Sequence, residues 1–389
     1  MSLLSITAVL SGMWRAVLFL PSGELPFQME FSTQNQQSTA IIINASERIV
    51  AKEISYSGDS IFIRLPLYDS EIRAQINGNR MTGTFYNYNR ADKNQIPFAA
   101  EHGLNYRFKP NGNNNTLPGK KWQILFGENK IAGYDAIGIF ENKNQNTVWA
   151  TFVIGSGDHR FLEGNFDGDS LFLSCFDGSH AFMYRAKIFG DSIRGIFYSG
   201  MHWAEPFEGK VNDQFELNDE LTKSTLKAGE EIKFYLPDMD GEMYRFGPKQ
   251  AEGKVTVIQI LGSWCPNCID ESAYYAEFEK KYRNSDLQFI GIAFEKTQDF
   301  EIAQNKLKRL TKQYAIEYPI LFGGSTAKED LLESLPFIEK IRAYPTTLII
   351  NKKGALVKVH TGFTGPATGA YYDAFKEKFN LTIKNLLSE

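Results

Sequence analysis

Lys254-Val255-Thr256-Val257-Ile258-Gln259-Ile260-Leu261-Gly262-Ser263-Trp264-Cys265-Pro266-Asn267-Cys268 is the stretch on which the reading of this chain turns. Its first eight residues are mostly apolar and β-branched. Such a run reads as a strand buried on both faces. Pro266 then suits the first turn of a helix, where its missing N–H costs nothing. A helix is predicted from about Cys265 to Tyr282. The two cysteines thus sit where a buried strand hands over to a helix.

That position has chemical consequences. A sulfur at a helix N-terminus meets unpaired backbone N–H groups and the positive end of the helix dipole. Both stabilise a thiolate and lower the thiol pKa. Two intervening residues let the second sulfur approach the first from within one turn. Cys265 is expected to attack a substrate disulfide, and Cys268 to resolve the mixed disulfide. The competing readings are metal binding and inert thiols. One Cys-x-x-Cys supplies two ligands, whereas a structural zinc takes four. No Cys or His follows at finger-like spacing, and His360 is the only histidine beyond residue 226. No metal and no separate cofactor are expected; the redox group is the Cys265–Cys268 pair itself.

Strand and helix patterns alternate from about Leu226 onward, which points to an α/β unit. Leu287 to Phe294 reads as a strand. Phe300, Ala303, Leu307, Leu310 and Tyr314 step 3,4,3,4 and mark a helix. Thr346 to Asn351 and Ala355 to His360 read as two further strands, and a last helix is expected to begin near Pro366. Between Gly323 and Lys340 lies an insertion whose Leu331 to Leu335 segment reads as a short helix near the active face. Cys268, Glu271, Tyr275, Phe278 and Tyr282 also step 3,4,3,4 and share one helix face. A carboxylate in line with three aromatics is expected to be partly buried beside Cys268, with its pKa raised toward a useful acid–base range.

Taken together, Trp264-Cys265-Pro266-Asn267-Cys268, the strand before it and Tyr344-Pro345-Thr346-Thr347 resemble the thioredoxin superfamily. Within it they are similar to the TlpA/ResA-like bacterial thiol–disulfide oxidoreductases, over about residues 226–385. Phe234 to Gly241 looks like that branch's opening hairpin. The resemblance implies a cis peptide at Pro345 facing the two sulfurs, with Tyr344 pairing to a substrate backbone. Trp264, Pro266 and Thr346 join them as candidate substrate-binding residues. The branch carries a glutamate three residues after the second cysteine, where Glu271 stands, implying proton exchange with Cys268; the acid that thioredoxin carries six residues before the first cysteine is replaced here by Gln259. The implied activity is reduction of protein disulfides in the periplasm or cell envelope. A protein thiol or disulfide would be the substrate, and a membrane-bound partner the electron donor. The nearest rival is a peroxiredoxin, but the threonine such enzymes place three residues before the reactive cysteine is Gly262 here.

The chain has 389 residues, enough for two or three domains. Residues 1–215 read as β-rich and 226–389 as the redox domain. The fold class expected is therefore α+β multidomain: an N-terminal all-β barrel or sandwich followed by an α/β thioredoxin fold. Short alternating runs such as Ser60 to Leu65 and Glu71 to Ile76 are separated by turn signals at Asn77-Gly78, Asp167-Gly168 and Asp177-Gly178. Gly58-Asp59-Ser60-Ile61-Phe62-Ile63 is echoed by Gly168-Asp169-Ser170-Leu171-Phe172-Leu173. Met81-Thr82-Gly83-Thr84-Phe85-Tyr86 is echoed by Ile193-Arg194-Gly195-Ile196-Phe197-Tyr198. A duplicated meander is expected, with halves 1–110 and 120–210 joined by Pro110 to Gly119.

Aromatic residues make up 14% of the chain, which favours strands. The net charge of -4 argues against nucleic acid as a partner. Residues 2–20 lack the basic start of an export signal and read as strand; no signal or lipoprotein anchor is recognised. The third cysteine, Cys175, lies among strand hydrophobes and reads as an inert buried thiol. No carboxylate pair, triad or metal cluster is visible in the β-rich half. If that half carries the main function, it would do so by binding a ligand or a partner. An apolar cavity in the barrel would favour ligand binding, and a filled core would favour a scaffold.

Overall fold

The computed structural model describes residues 10–389 apart from 35–36, 67, 91, 110–116, 118, 130, 145 and 219–222. Most of the expected joining segment, Pro110 to Gly119, lies outside the described residues, as does the start of the 2–20 stretch. The chain divides into two compact units. One comprises Met1–Ile154 and His159–Leu217; the other comprises Gly155–Asp158 and Asn218–Glu389.

The first unit is built from two antiparallel sheets with the same plan. In one, Gly12–Leu20 pairs with Gly23–Gln34 on one side and with Gln95–His102 on the other. In the other, Lys121–Phe126 pairs with Tyr134–Asn142 and with Trp203–Val211. Each sheet thus joins its first strand to its last, and the strands between follow as hairpins. The second sheet closes fully, because Val148–Ile154 pairs with both Tyr134–Asn142 and Leu162–Asp167. Full closure removes the exposed edges that an open sheet presents. The first sheet is a nearly closed version of the same barrel.

The echoed sequences fall on equivalent strands. Ser60–Arg64 corresponds to Ser170–Phe176, and Arg80–Asn87 to Ser192–Ser199. Gly83 and Gly195 occupy the same register, opposite Ala74 and Ala186. A Cβ at Gly83 would lie 1.9 Å from the Arg73 carbonyl oxygen, and one at Gly195 2.3 Å from that of Arg185. Only glycine fits where the neighbouring backbone comes so close. Trp14 and Trp122 open the two barrels in parallel fashion: both are fully buried, with indole N–H groups donating to the carbonyls of Leu10 and Gly119.

The second barrel is filled rather than hollow. Phe126, Phe152, Tyr184, Phe197 and Phe207 pack ring against ring, with Phe152 and Tyr184 stacked at 4.6 Å. Each large apolar side chain buried this way contributes ~1.5–3 kcal/mol over exposure. Cys175 is fully buried, and burial pushes its thiol pKa well up, the behaviour of an inert thiol. Between the sheets, Arg107 donates to the carbonyls of Pro26, Ile43 and Ser174, and Asn44 exchanges two hydrogen bonds with the Phe176 backbone.

The second unit centres on a five-stranded sheet. Val255–Leu261 lies in its middle, parallel to Leu287–Glu295 and antiparallel to Thr346–Ile350. Ile320–Ser325 and Leu356–Thr361 form the two edges. Every residue of the central strand is buried, as its unbroken apolar run requires. The helices Pro266–Lys281 and Phe300–Tyr314 fall where the 3,4 stepping places them. A hairpin pairs Phe234–Pro237 with Met243–Phe246. Leu331 lies in the short helix Lys328–Ser334.

Some details differ from the sequence reading. Ile320–Ser325 is a strand that was not anticipated, because Gly323-Gly324 interrupts its β-forming residues. Pro366 does not open the last helix. It starts a 3₁₀ turn, Pro366–Thr368, and Gly369 at φ 56° separates that turn from the helix Ala370–Ser388.

Candidate active site

The central strand ends at Leu261, and three residues lead from it into the cysteine helix. This turn is pinned to the end of the neighbouring strand. The Ser263 backbone N–H donates to Glu295 at 2.7 Å and its hydroxyl to the same carboxylate at 2.8 Å. The Trp264 indole N–H donates to the Phe294 carbonyl at 2.9 Å. A Cβ at Gly262 would lie 2.3 Å from that indole nitrogen, so the fold of the turn requires glycine. Burial raises the Glu295 pKa, and the two Ser263 hydrogen bonds counter it.

Cys265 is the N-cap of the helix Pro266–Lys281, and its sulfur accepts a hydrogen bond from the Cys268 N–H at 3.3 Å. Both cysteines are free thiols here. Cys265 keeps 6% of its surface exposed and Cys268 none. The Cys265 thiol donates to the Tyr344 carbonyl at 3.5 Å, and the Tyr344–Pro345 peptide is cis. Trp264 meets Tyr344 edge to face at 5.5 Å, and the Lys296 ammonium lies 4.9 Å from the Trp264 ring. Burial, then the Cys265 sulfur beside it, pushes the Cys268 pKa well above the ordinary thiol value. The pair is therefore asymmetric: the outer cysteine keeps a small exposed fraction, and the inner one is fully buried with its pKa raised.

Glu271 lies fully buried on the same helix face as Cys268. Gln259 Nε2 donates to its Oε2 at 2.9 Å and Thr347 Oγ1 to the same oxygen at 3.0 Å. Tyr275 OH donates to Oε1 at 3.0 Å. Burial nevertheless dominates, and the carboxyl is pushed up to about 8. A buried acid poised near neutrality can take up and return a proton at working pH.

The structure gathers Trp264, Tyr344 and Pro345 around the outer sulfur and Glu271 on the inner side. Pro266 sits at the first helical position and is buried. Thr346 is fully buried, its hydroxyl donating to the Ala343 carbonyl at 2.8 Å. Among the described residues no group of three or more His, Cys, Asp or Glu side chains is placed to hold a metal. His360 is half-buried, and desolvation lowers its pKa to about 4. Sequence reasoning missed Thr347 as a partner of Glu271, and Glu295 as the anchor of the turn. Thr347 could have been found from Pro345, since alternation along a strand points it to the face opposite Thr346. Glu295 has no comparable local marker.

Comparison with known proteins covers this same region. Residues 221–373 match the family model described as Redoxin. A thiol-disulfide oxidoreductase ResA from Halalkalibacterium halodurans is 28% identical over 141 residues, spanning 36% of this chain and 72% of that protein. ResA from Bacillus subtilis is 24% identical over 143 residues, spanning 36% and 70%. Among solved structures, a thioredoxin-family thiol:disulfide interchange protein from Chlorobium tepidum aligns with 42% of this chain and 97% of its own, at 20% identity and a TM-score of 0.30.

Proposed function

We propose that this chain, whose C-terminal unit belongs to the ResA/TlpA-like thiol–disulfide oxidoreductases of the thioredoxin superfamily, reduces protein disulfides in the bacterial cell envelope. The observation that carries the reading is the asymmetry of the two cysteines, Cys265 keeping a small exposed fraction and Cys268 fully buried on the same helix face as Glu271.

The chemistry follows in two exchanges. The Cys265 thiolate attacks one sulfur of a substrate disulfide. A mixed disulfide forms, and the other substrate sulfur leaves as a thiolate that takes up a proton. Glu271, as carboxylate, then accepts the Cys268 proton. The Cys268 thiolate attacks Cys265 Sγ, the Cys265–Cys268 disulfide forms, and the second substrate sulfur leaves. Two electrons have passed to the substrate, and no group beyond the two sulfurs has carried them. An upstream dithiol donor, in this reading membrane-bound, must restore the reduced pair. Trp264 and Tyr344 flank the outer sulfur, and the backbone at Tyr344-Pro345 is read as the edge to which a substrate segment pairs.

The redox domain is taken as residues 226–389 and the β-rich domain as 1–215. The β-rich domain is read as a scaffold, since aromatic side chains fill its second barrel.

Equilibration in glutathione buffers, with thiol trapping of Cys265 and Cys268, tests the reading. A midpoint near ~-270 mV supports a reductase, and one near ~-120 mV makes the protein an oxidant instead. A pair that forms no reversible disulfide at any poise removes the oxidoreductase reading altogether.

A further inference from the structure

A buried acid that changes charge during turnover faces a difficulty. Its ionised form needs hydrogen-bond donors, whereas its neutral form needs an acceptor for the acid proton. A buried site that suits one form leaves the other with an unpaired polar group, which is costly. Glu271 is fully buried, and its surroundings contain an arrangement that suits both forms.

The two oxygens of its carboxyl group close into a ring with two hydroxyls, those of Tyr275 and Thr347. Tyr275 OH lies 3.0 Å from Glu271 Oε1 and 3.2 Å from Thr347 Oγ1, and Thr347 Oγ1 lies 3.0 Å from Glu271 Oε2. A hydroxyl can donate one proton and also accept. When Glu271 is ionised, Tyr275 donates to Oε1 and Thr347 to Oε2, leaving the Tyr275–Thr347 contact without a proton. When Glu271 is neutral with its proton on Oε1, that proton is donated to Tyr275 OH. The tyrosine proton then turns to Thr347 Oγ1, and Thr347 continues to donate to Oε2. Gln259 donates to Oε2 in both states.

We propose that Tyr275 is a positioning residue for the acid, closing with Thr347 a ring of hydrogen bonds around Glu271 in which the tyrosine proton turns from the carboxylate to Thr347 as the acid is protonated. The proposal rests on the reading of Glu271 as the proton acceptor of Cys268. Within that reading it explains how the acid changes charge without moving and without stranding a buried group.

The tyrosine is held for this task. Its ring is fully buried between Phe289 and Phe379, with centroids 5.3 and 5.1 Å away. Rotation of the hydroxyl proton is therefore the one motion it needs. The other titratable groups facing Glu271 are few. They are Cys268 on its own helix, with Cys265 at the cap beyond it, and Tyr318 from the segment before the edge strand Ile320–Ser325. From the neighbouring strands, the partners of its carboxyl among the described residues are the neutral Gln259 and Thr347.

The test is a carbon-13 NMR titration of the Glu271 carboxyl in oxidised protein, where neither thiol of the pair titrates beside it. Hydrogen bonds to a charged acceptor are stronger than those to a neutral one, so losing the tyrosine hydroxyl harms the anion more than the acid. Tyr275→Phe keeps the packed ring and should move the Glu271 midpoint upward by about one pH unit or more. Thr347→Val should move it the same way, and Thr347→Ser should restore it. The double variant should shift it by less than the sum, because the two hydroxyls share the ring. Midpoints within about 0.3 unit of the unsubstituted protein in both Tyr275→Phe and Thr347→Val would overturn the ring. The pH dependence of disulfide reduction separates the two readings. If the NMR midpoint moves while the pH–rate profile stays fixed, the ring stands and the role of Glu271 in exchange fails.

Discussion

The Cys268 amide points at the Cys265 sulfur across 3.3 Å, placing the outer cysteine at the helix cap and the inner one a turn inside it. Of the two cysteines only Cys265 retains any exposed surface. On the proposed mechanism this difference in burial gives attack on a substrate to Cys265 and resolution of the mixed disulfide to Cys268. Cys268→Ser should leave the first exchange intact and trap substrate on Cys265 as a mixed disulfide. Cys265→Ser should trap nothing. Non-reducing electrophoresis and intact mass after incubation with a disulfide-bonded protein check this, and trapping by Cys268 in the absence of Cys265 would reverse the assignment.

On the proposed mechanism, Glu271 makes the resolving step depend on pH. Its carboxyl is pushed up to about 8, and the carboxylate is the form that accepts a proton. Reduction should therefore quicken as pH rises through about 8. Glu271→Gln should slow resolution by ~10²-fold and flatten that limb of the profile. Stopped-flow kinetics from pH 6 to 9.5 distinguish this from a purely structural role, which would lower the rate equally at every pH.

The same shift carries a stability consequence of definite sign. Glu271 titrates near its ordinary 4.5 when unfolded and near about 8 when folded. Between those values the folded state binds more protons than the unfolded state. The contribution of this residue to stability is fully present below about 4.5 and declines as pH rises toward about 8. Glu271→Gln should therefore gain stability relative to the unsubstituted chain on going from pH 5 to pH 9. Urea unfolding at both pH values measures the difference, and an equal offset at the two would contradict the shift.

The parts of this architecture that were legible in the sequence are those with a local pattern. The unbroken run Val255 to Leu261 announced a strand covered on both faces, and Pro266 beside Cys265 announced a helix start. Asn77-Gly78 marked a hairpin, with Gly78 at φ 57°. The echo between residues 58–86 and 168–198 foretold two sheets of the same plan, because register along a strand preserves the spacing of its inward residues. The polar cluster around Glu271 draws on residues 259, 271, 275 and 347, which come from three separate elements. Helical stepping links Glu271 to Tyr275, but no periodicity links that pair to Gln259 and Thr347, and only the packed fold brings the strands to the helix. Arg107 is similar: its three carbonyl partners lie on strands remote in sequence. Burial of a helix face was predictable, but the identity of the groups facing it was not.

Glu295 should prove to be a structural anchor of the active-site turn. It accepts from both the N–H and the hydroxyl of buried Ser263, and nothing else in that turn replaces it. Glu295→Ala would leave two buried donors without an acceptor, each worth ~1–3 kcal/mol. A loss of about 2–4 kcal/mol in the second unit is expected, with Glu295→Gln losing less because its amide oxygen can still accept. Urea unfolding followed by Trp264 fluorescence reads the effect in the turn itself.

Gly83 and Gly195 extend the argument to the barrels. Each faces a carbonyl of the adjoining strand at a distance no Cβ can occupy, 1.9 Å in one and 2.3 Å in the other. Alanine at either position must push two hydrogen-bonded strands apart, a cost of at least about 1–3 kcal/mol on the scale of overpacking. Gly58 and Gly168, also equivalent to each other, sit in open space at φ 59° and 61°. Alanine there meets no atom and costs only the left-handed backbone penalty, ~1–2 kcal/mol. Unfolding measurements on the four variants should therefore fall into two pairs, Gly83→Ala with Gly195→Ala as the more damaging and Gly58→Ala with Gly168→Ala as the milder. A split by barrel instead of by register would mean that the two sheets share a sequence echo without sharing the packing constraint that it implies.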